Sequence, residues 1–148
     1  MKPDVDVYLK ELASDLLEDF VPNYPTSFGK GALVRHSLLV QVVSEEYDRA
    51  AARRIEENAE LRRLFAKDVD IIPTGDLADR LRQAAASKDD GLRVAQLDHS
   101  NRLLRALLVE LHARIETIEG SQAREYEKAI WHELVLSTER RRLSIDTF

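Results

Sequence analysis

The chain has 148 residues, of which 44% are hydrophobic and 33% are charged, with a net charge of −5 at pH 7 and no cysteine. These totals are typical of a globular protein, and the missing cysteine excludes disulfides, thiolate nucleophiles and thiolate metal sites. The acidic charge is spread along the chain and argues against nucleic acid or an anionic membrane as a partner, since both favour a concentrated basic surface.

Glycine and proline occur at only five places and divide the chain into five segments with helical periodicity. Strand-type alternation is weak throughout. The predicted fold is therefore all-α, a bundle of about five mostly antiparallel helices with one long central helix, in a single domain of residues 1–148. The predicted helices span about 4–21, 31–67, 75–87, 91–119 and 121–142.

The second predicted helix is long because no glycine or proline interrupts the stretch from Ala32 to Ile72. Its first half, to Tyr47, is apolar over most of its circumference, which is typical of a helix at the centre of a bundle. In its second half the apolar stripe narrows. This narrow stripe contains Ala51, Ile55, Asn58, Leu61 and Phe65.

A helix of about 36 residues is about 54 Å long, whereas a compact domain of this size is about 40 Å across. The helix must therefore kink, protrude or pack on a second copy. A narrow stripe with one asparagine resembles a coiled-coil seam, where a buried asparagine fixes register. One interpretation is a homodimer through the stripe and Trp131; the alternative is a bend near residues 48–53.

The histidine spacings match neither Glu-x-x-His nor His-Glu-x-x-His, so the sequence predicts no metal and no cofactor. There is no Gly-x-Ser-x-Gly turn, and nucleophilic catalysis has no support. The sequence does not favour an enzyme.

Three polar residues fall on apolar helix faces near the first connection. Because a short connection makes the first two helices antiparallel neighbours, Asp19 is placed to meet Arg35 or His36 inside the bundle. Ser100 is a further polar residue on an apolar face. We predict a buried polar cluster of these four residues, either as a site or as a satisfied structural network.

Two stretches, residues 16–22 (LLEDFVP) and 35–54 (RHSLLVQVVSEEYDRAAARR), resemble a family of small bacterial all-helical proteins. Members of that family are encoded near acyl-CoA dehydrogenases and aminoglycoside-phosphotransferase-like proteins. The resemblance implies an accessory role in acyl-CoA or related small-molecule metabolism, and it brings no catalytic residues.

Together these observations predict a cytoplasmic, non-enzymatic accessory or interaction protein that forms a homodimer through its long second helix. The expectation includes no nucleic-acid partner and no membrane partner. The alternative is a binding module for an apolar or acyl-type ligand held between helices, with Arg35 and His36 as its polar contacts.

Overall fold

A computed structural model describes residues 4–67 and 71–144. The described residues contain five helices and no strand, which confirms the predicted all-α fold. A single turn, α2 (Val21–Asn23), lies between the first two of them. The five helices are α1 (Val5–Asp15), α3 (Ser27–Ala66), α4 (Asp76–Ala86), α5 (Val94–Ile115) and α6 (Ser121–Arg141). Across these ranges, no helix combines the length and the apolar character that crossing a membrane requires.

The chain leaves α1 through a π-helical turn at Leu16–Phe20 and enters α2. Pro22 has no N–H to donate to the carbonyl of Glu18, and its ring crowds that carbonyl. A wider π turn relieves this conflict without ending the helical path. The first helix was predicted to end near residue 21. The α-helix α1 ends at Asp15, but the helical path continues through the π turn and α2 to Asn23.

The long helix begins about four residues earlier than predicted, at Ser27. Thr26 caps it, since its Oγ1 accepts a hydrogen bond of 3.2 Å from the Gly29 N–H. Gly29 lies in the first turn of the helix and does not end it. The ring of Tyr24 lies so close that a Cβ at position 29 would be 1.9 Å from its Cε1 atom. A larger residue at position 29 would therefore have to displace the Tyr24 ring.

The long helix runs from Ser27 to Ala66 without interruption, so no separate helix begins near residues 48–53. Ala50, Ala51 and Ala52 occupy that stretch and are strong helix formers. The described residues form two compact units. The first contains those up to Ala50 with Leu143 and Ser144, and the second contains those from Ala51 to Arg142. That residues 1–148 form one domain stays a prediction.

The second unit has the larger hydrophobic core. It is built from one face each of α4, α5 and α6 against the C-terminal half of α3. Its buried members are Leu61, Leu64, Phe65, Ile72, Ala78, Leu81, Leu104, Leu107, Leu108, Leu111, Ile115, Tyr126 and Ile130. The hydroxyl of Tyr126 donates a 2.6 Å hydrogen bond to the carbonyl of Leu64. Gly120 lies in the turn between α5 and α6 with φ +129°, a backbone conformation that residues with a side chain rarely adopt.

The first unit is a helical hairpin. The Ser37 hydroxyl donates to the Ala13 carbonyl at 2.7 Å, and the Ser44 hydroxyl donates to the Asp6 carbonyl at 3.2 Å. These contacts pair α1 with the N-terminal half of α3 in antiparallel order, as predicted. Within the described part of this unit, every buried residue is small: Ala13, Gly29, Ser37, Ser44 and Ala50.

Candidate functional site

The predicted buried polar cluster does not form. Asp19, Arg35 and His36 are all exposed. The cluster does not form because α1 covers the face of α3 that carries Ser37 and Ser44. At about 100° per residue, Arg35 and His36 point well away from that side.

Ser100 belongs to the second unit and has different partners from those predicted. Its side chain hydrogen-bonds to Asp89. Burial by itself raises the pKa of Asp89, but hydrogen bonds and charge from Arg62, with hydrogen bonds from Asn58 and Ser100, bring it below the usual range. Arg62 holds this carboxylate at 2.8 Å.

The predicted dimer interface is largely part of the chain's own core. Leu61 and Phe65 belong to the hydrophobic core of the second unit, and Asn58 is also fully buried. Their stripe is narrow because α5 and α6 of the same chain pack on it. Of the other predicted interface residues, Ala51 is half-buried, while Ile55 and Trp131 are exposed. A seam on Asn58, Leu61 and Phe65 for a second copy was therefore wrong.

A buried carboxylate lies at the centre of a polar network in the second unit. Glu57 is 1% exposed and accepts two hydrogen bonds from Arg141, at 2.8 and 2.7 Å. The amide of Asn101 donates to it at 3.1 Å and the hydroxyl of Ser137 at 3.3 Å. The guanidinium of Arg105 lies 3.7 Å away. Burial by itself raises the pKa of Glu57, but these donors and charges outweigh it, so its pKa lies below the usual value.

Asn58 extends this network toward the loop before α5. Its Oδ1 accepts from Asn101 at 2.9 Å, and its Nδ2 donates to Asp89 at 2.9 Å and to the Leu97 carbonyl at 3.2 Å. The sequence analysis expected a buried Asn58 that fixes register. The asparagine is buried, and its partners belong to the same chain.

The network resembles a structural device more than a reaction centre. A general acid or base needs a free oxygen within reach of its substrate, whereas the oxygens of Glu57 are taken up by Arg141, Asn101 and Ser137. The sequence analysis missed Glu57 and its partners because Asn101 and Arg141 lie 44 and 84 residues further along the chain. Only the buried position of Asn58 pointed to this region.

The hairpin of the first unit leaves large apolar side chains in contact with solvent. These side chains are between 46% and 60% exposed. We call them the apolar face: Val5, Tyr8, Leu12, Leu39, Val43 and Tyr47. The sequence predicted a core for the first half of α3 and a seam for the second half. In the structure the second half contributes Leu61 and Phe65 to a core, whereas Leu39, Val43 and Tyr47 of the first half are exposed.

The six residues of the apolar face lie on one side of the hairpin. The opposite side carries a polar groove of about 560 Å³, lined by Lys10 and Ser14 from α1 and by Gln41 and Glu45 from α3. Relative to the contact between the helices, the three apolar residues on each helix are rotated away from these groove residues. The groove side of the hairpin is therefore polar and the other side is mainly apolar, although the exposed His36 lies on the same arc of α3 as Val43 and Tyr47.

The C-terminal segment enters the polar groove. The N–H of Ser144 donates to both carboxylate oxygens of Glu45, at 3.1 and 2.9 Å, and its hydroxyl donates at 2.7 Å. This hydrogen bonding, together with the neighbouring Arg49, lowers the pKa of Glu45. Among the described residues of the first unit, no segment covers the apolar side of the hairpin in this way.

A second groove of about 560 Å³ lies between α4 and α5, and we call it the α4–α5 groove. Its apolar lining includes Ala84, Leu103, Leu104 and Leu107. Its charged and titratable lining residues are Arg62, Arg80, Lys88, His99, Asp90 and Glu110. Arg62 is paired with Asp89, and Arg80 with Asp76 and Glu110.

Comparisons of the chain with protein-family models, with curated proteins and with solved structures give no match.

Proposed function

We propose that this chain is a non-enzymatic interaction protein that forms a homodimer through the apolar face of its N-terminal hairpin. One observation supports the proposal above all others: the described part of the first unit fully buries only small residues, while the six large side chains of the apolar face are exposed. A two-helix hairpin cannot enclose a core. Two such hairpins form a four-helix bundle, which can.

The extent of the apolar face fits a second copy as its occupant. Six side chains of these sizes, about half exposed, present roughly 600 Å² per chain, so a symmetric pair would bury about 1,200 Å². That area is at the lower end of the range for specific interfaces. In a two-fold pair the same residues meet from both sides, and a face made of Tyr, Leu and Val is compatible with itself.

A charge placed in the centre of the apolar face should separate the dimer. We expect the wild-type chain to elute as a dimer at micromolar concentration, with its mass set by light scattering. Val43→Glu should shift it to monomer, because pairing would bury two unpaired carboxylates. Val43 is 54% exposed, so the same substitution should leave the folded chain intact.

The matched control is Val109→Glu. Val109 is 69% exposed on α5 and lies outside the apolar face, so the identical change there should leave the dimer unaltered. A wild-type chain that is monomeric at every concentration would contradict the proposal. A dimer that survives Val43→Glu would assign self-association to another surface.

A second candidate function is a binding module for an acyl-type ligand, which the resemblance to acyl-CoA-associated proteins also implies. The α4–α5 groove favours it, because its lining combines apolar side chains for an alkyl chain with Lys88 and His99 for an anionic group. Its polar contacts would be residues such as Lys88 and His99, in place of the predicted Arg35 and His36.

Native mass spectrometry with dodecanoate tests this second function. We expect one bound molecule per chain, and about tenfold weaker binding for Leu103→Glu, since a carboxylate would enter the apolar lining and repel the anionic group. Val109→Glu, on the same helix and outside the groove, should bind as the wild type does. A mass unchanged by a series of acyl compounds would rule the groove out as an acyl site.

A further inference from the structure

One histidine and two glutamates converge near the connection between α5 and α6. His112 lies in α5, Glu116 follows directly after that helix, and Glu127 lies in α6. One nitrogen or oxygen atom from each residue lies within 4.8 Å of the other two. The Nε2 atom of His112 is 3.8 Å from Oε1 of Glu116.

The Nε2 atom of His112 is an independent indication of a ligand. It is buried, and among the described residues it has no hydrogen-bond partner. Leaving a buried polar atom unpaired is destabilising, so native proteins rarely keep one without a bound group. The imidazole ring packs edge-to-face on Trp131, with 5.2 Å between ring centroids, which holds the ring in place.

The surroundings of this triad favour a cation. A cavity of about 480 Å³ beside it is lined by the carboxylates of Glu116, Glu119 and Glu127 and by one guanidinium, that of Arg124. Three acidic groups against one basic group give the cavity a negative potential.

We propose that His112, Glu116 and Glu127 bind a divalent transition-metal ion, with Zn²⁺ as the best match. One imidazole nitrogen and two carboxylate oxygens are ligands that Zn²⁺ accepts, at bonds of about 2.0–2.2 Å. Tetrahedral ligands at that distance are about 3.4 Å apart, so the triad needs to close by roughly 1 Å. The side chain of Glu116 is 58% exposed and free to make that rotation.

Spacing along the chain could not reveal this site. His112 and Glu116 are four residues apart, which is also the spacing of an ordinary surface contact. The third ligand comes from a different helix, and the close approach of α5 and α6 brings it in. The prediction of no metal rested on the spacings of known motifs, which do not include a third ligand from another helix at this position.

The single tryptophan of the chain reports on the site, because Trp131 packs on His112. We expect Co²⁺ to quench its fluorescence with a stoichiometry of one ion per chain, and Zn²⁺ to restore the emission by displacing Co²⁺. His112→Gln and Glu127→Gln should each weaken Zn²⁺ binding, measured by calorimetry, by about tenfold or more. His132→Gln is the matched control, since His132 is exposed and adjacent to Trp131.

Three results would overturn the proposal. One is a wild-type chain that fails to bind Zn²⁺ at micromolar concentration. Another is unchanged binding in both His112→Gln and Glu127→Gln. The third is an equal loss of binding in His132→Gln, which would indicate non-specific coordination by surface histidines. Because Glu127 lies outside the hydrophobic core, its variant keeps the test valid if His112→Gln does not fold.

Discussion

Replacing Glu57 with alanine is expected to lower the free energy of unfolding by about 3 kcal/mol, which corresponds to a fall in melting temperature of about 6–12 °C. The carboxylate accepts hydrogen bonds from Arg141, Asn101 and Ser137 in a buried position. Without this carboxylate, Asn101 and Ser137 each lose a hydrogen-bond acceptor in a buried position. The side chain of Arg141 is 47% exposed and can turn toward solvent, which limits the loss of unfolding free energy.

Glu56→Ala is the matched control for this prediction. Glu56 is the adjacent residue on the same helix and is exposed, so its loss should change the unfolding free energy by no more than about 0.5 kcal/mol. Chemical denaturation of both variants, followed by circular dichroism, makes the comparison. Equal stability of the two variants would mean that the network contributes nothing to folding.

The pH dependence of stability gives a second measurement of the same network. The pKa of Glu57 in the folded chain lies below its usual value of 4.5. Its contribution is therefore complete above pH 4.5 and is lost as the pH falls through the lower folded pKa. Below pH 4.5 the wild-type chain should lose stability more steeply than Glu57→Gln, whose side chain does not titrate.

The sequence predicted the helices well because periodicity and helix breakers are local signals. All five helices were predicted, and the errors lie at their ends. The helix α3 begins at Ser27, after its cap Thr26, and not at residue 31. The helix α5 ends at Ile115 and not at residue 119. Periodicity identifies which residues share a face. It does not identify what covers that face, because the cover comes from segments far along the chain.

The two halves of α3 illustrate this limit. The N-terminal half is rich in apolar residues, yet α1 covers only the side that carries Ser37 and Ser44, so Leu39 and Val43 are exposed. The C-terminal half looks like a narrow seam between polar flanks. Those flanks include Glu57, which can be buried because Arg141 of α6 neutralises its charge and Asn101 of α5 donates a hydrogen bond to it. Charge on a helix is therefore no guide to exposure once a partner of opposite charge is available.

Phe65→Ala is expected to lower the free energy of unfolding by about 3–5 kcal/mol, because it leaves a cavity among the residues that contact this buried ring. Phe65 is fully buried. The corresponding control is Phe28→Ala, where the ring is 84% exposed and its removal should cost little. Thermal unfolding of both variants and of the wild type measures the difference.

The same variant separates a core from a subunit interface. If Phe65 packs only within its own chain, Phe65→Ala should still elute as a dimer, and its loss of stability should not depend on protein concentration. If Phe65 instead lay at a subunit seam, its removal would weaken association, and the loss of stability would grow with protein concentration until both proteins are dimeric, by mass action. Val43→Glu should behave in the opposite manner, with the dimer lost and the fold retained. The pair therefore assigns each half of α3 its role: the C-terminal half to the core and the N-terminal half to a partner.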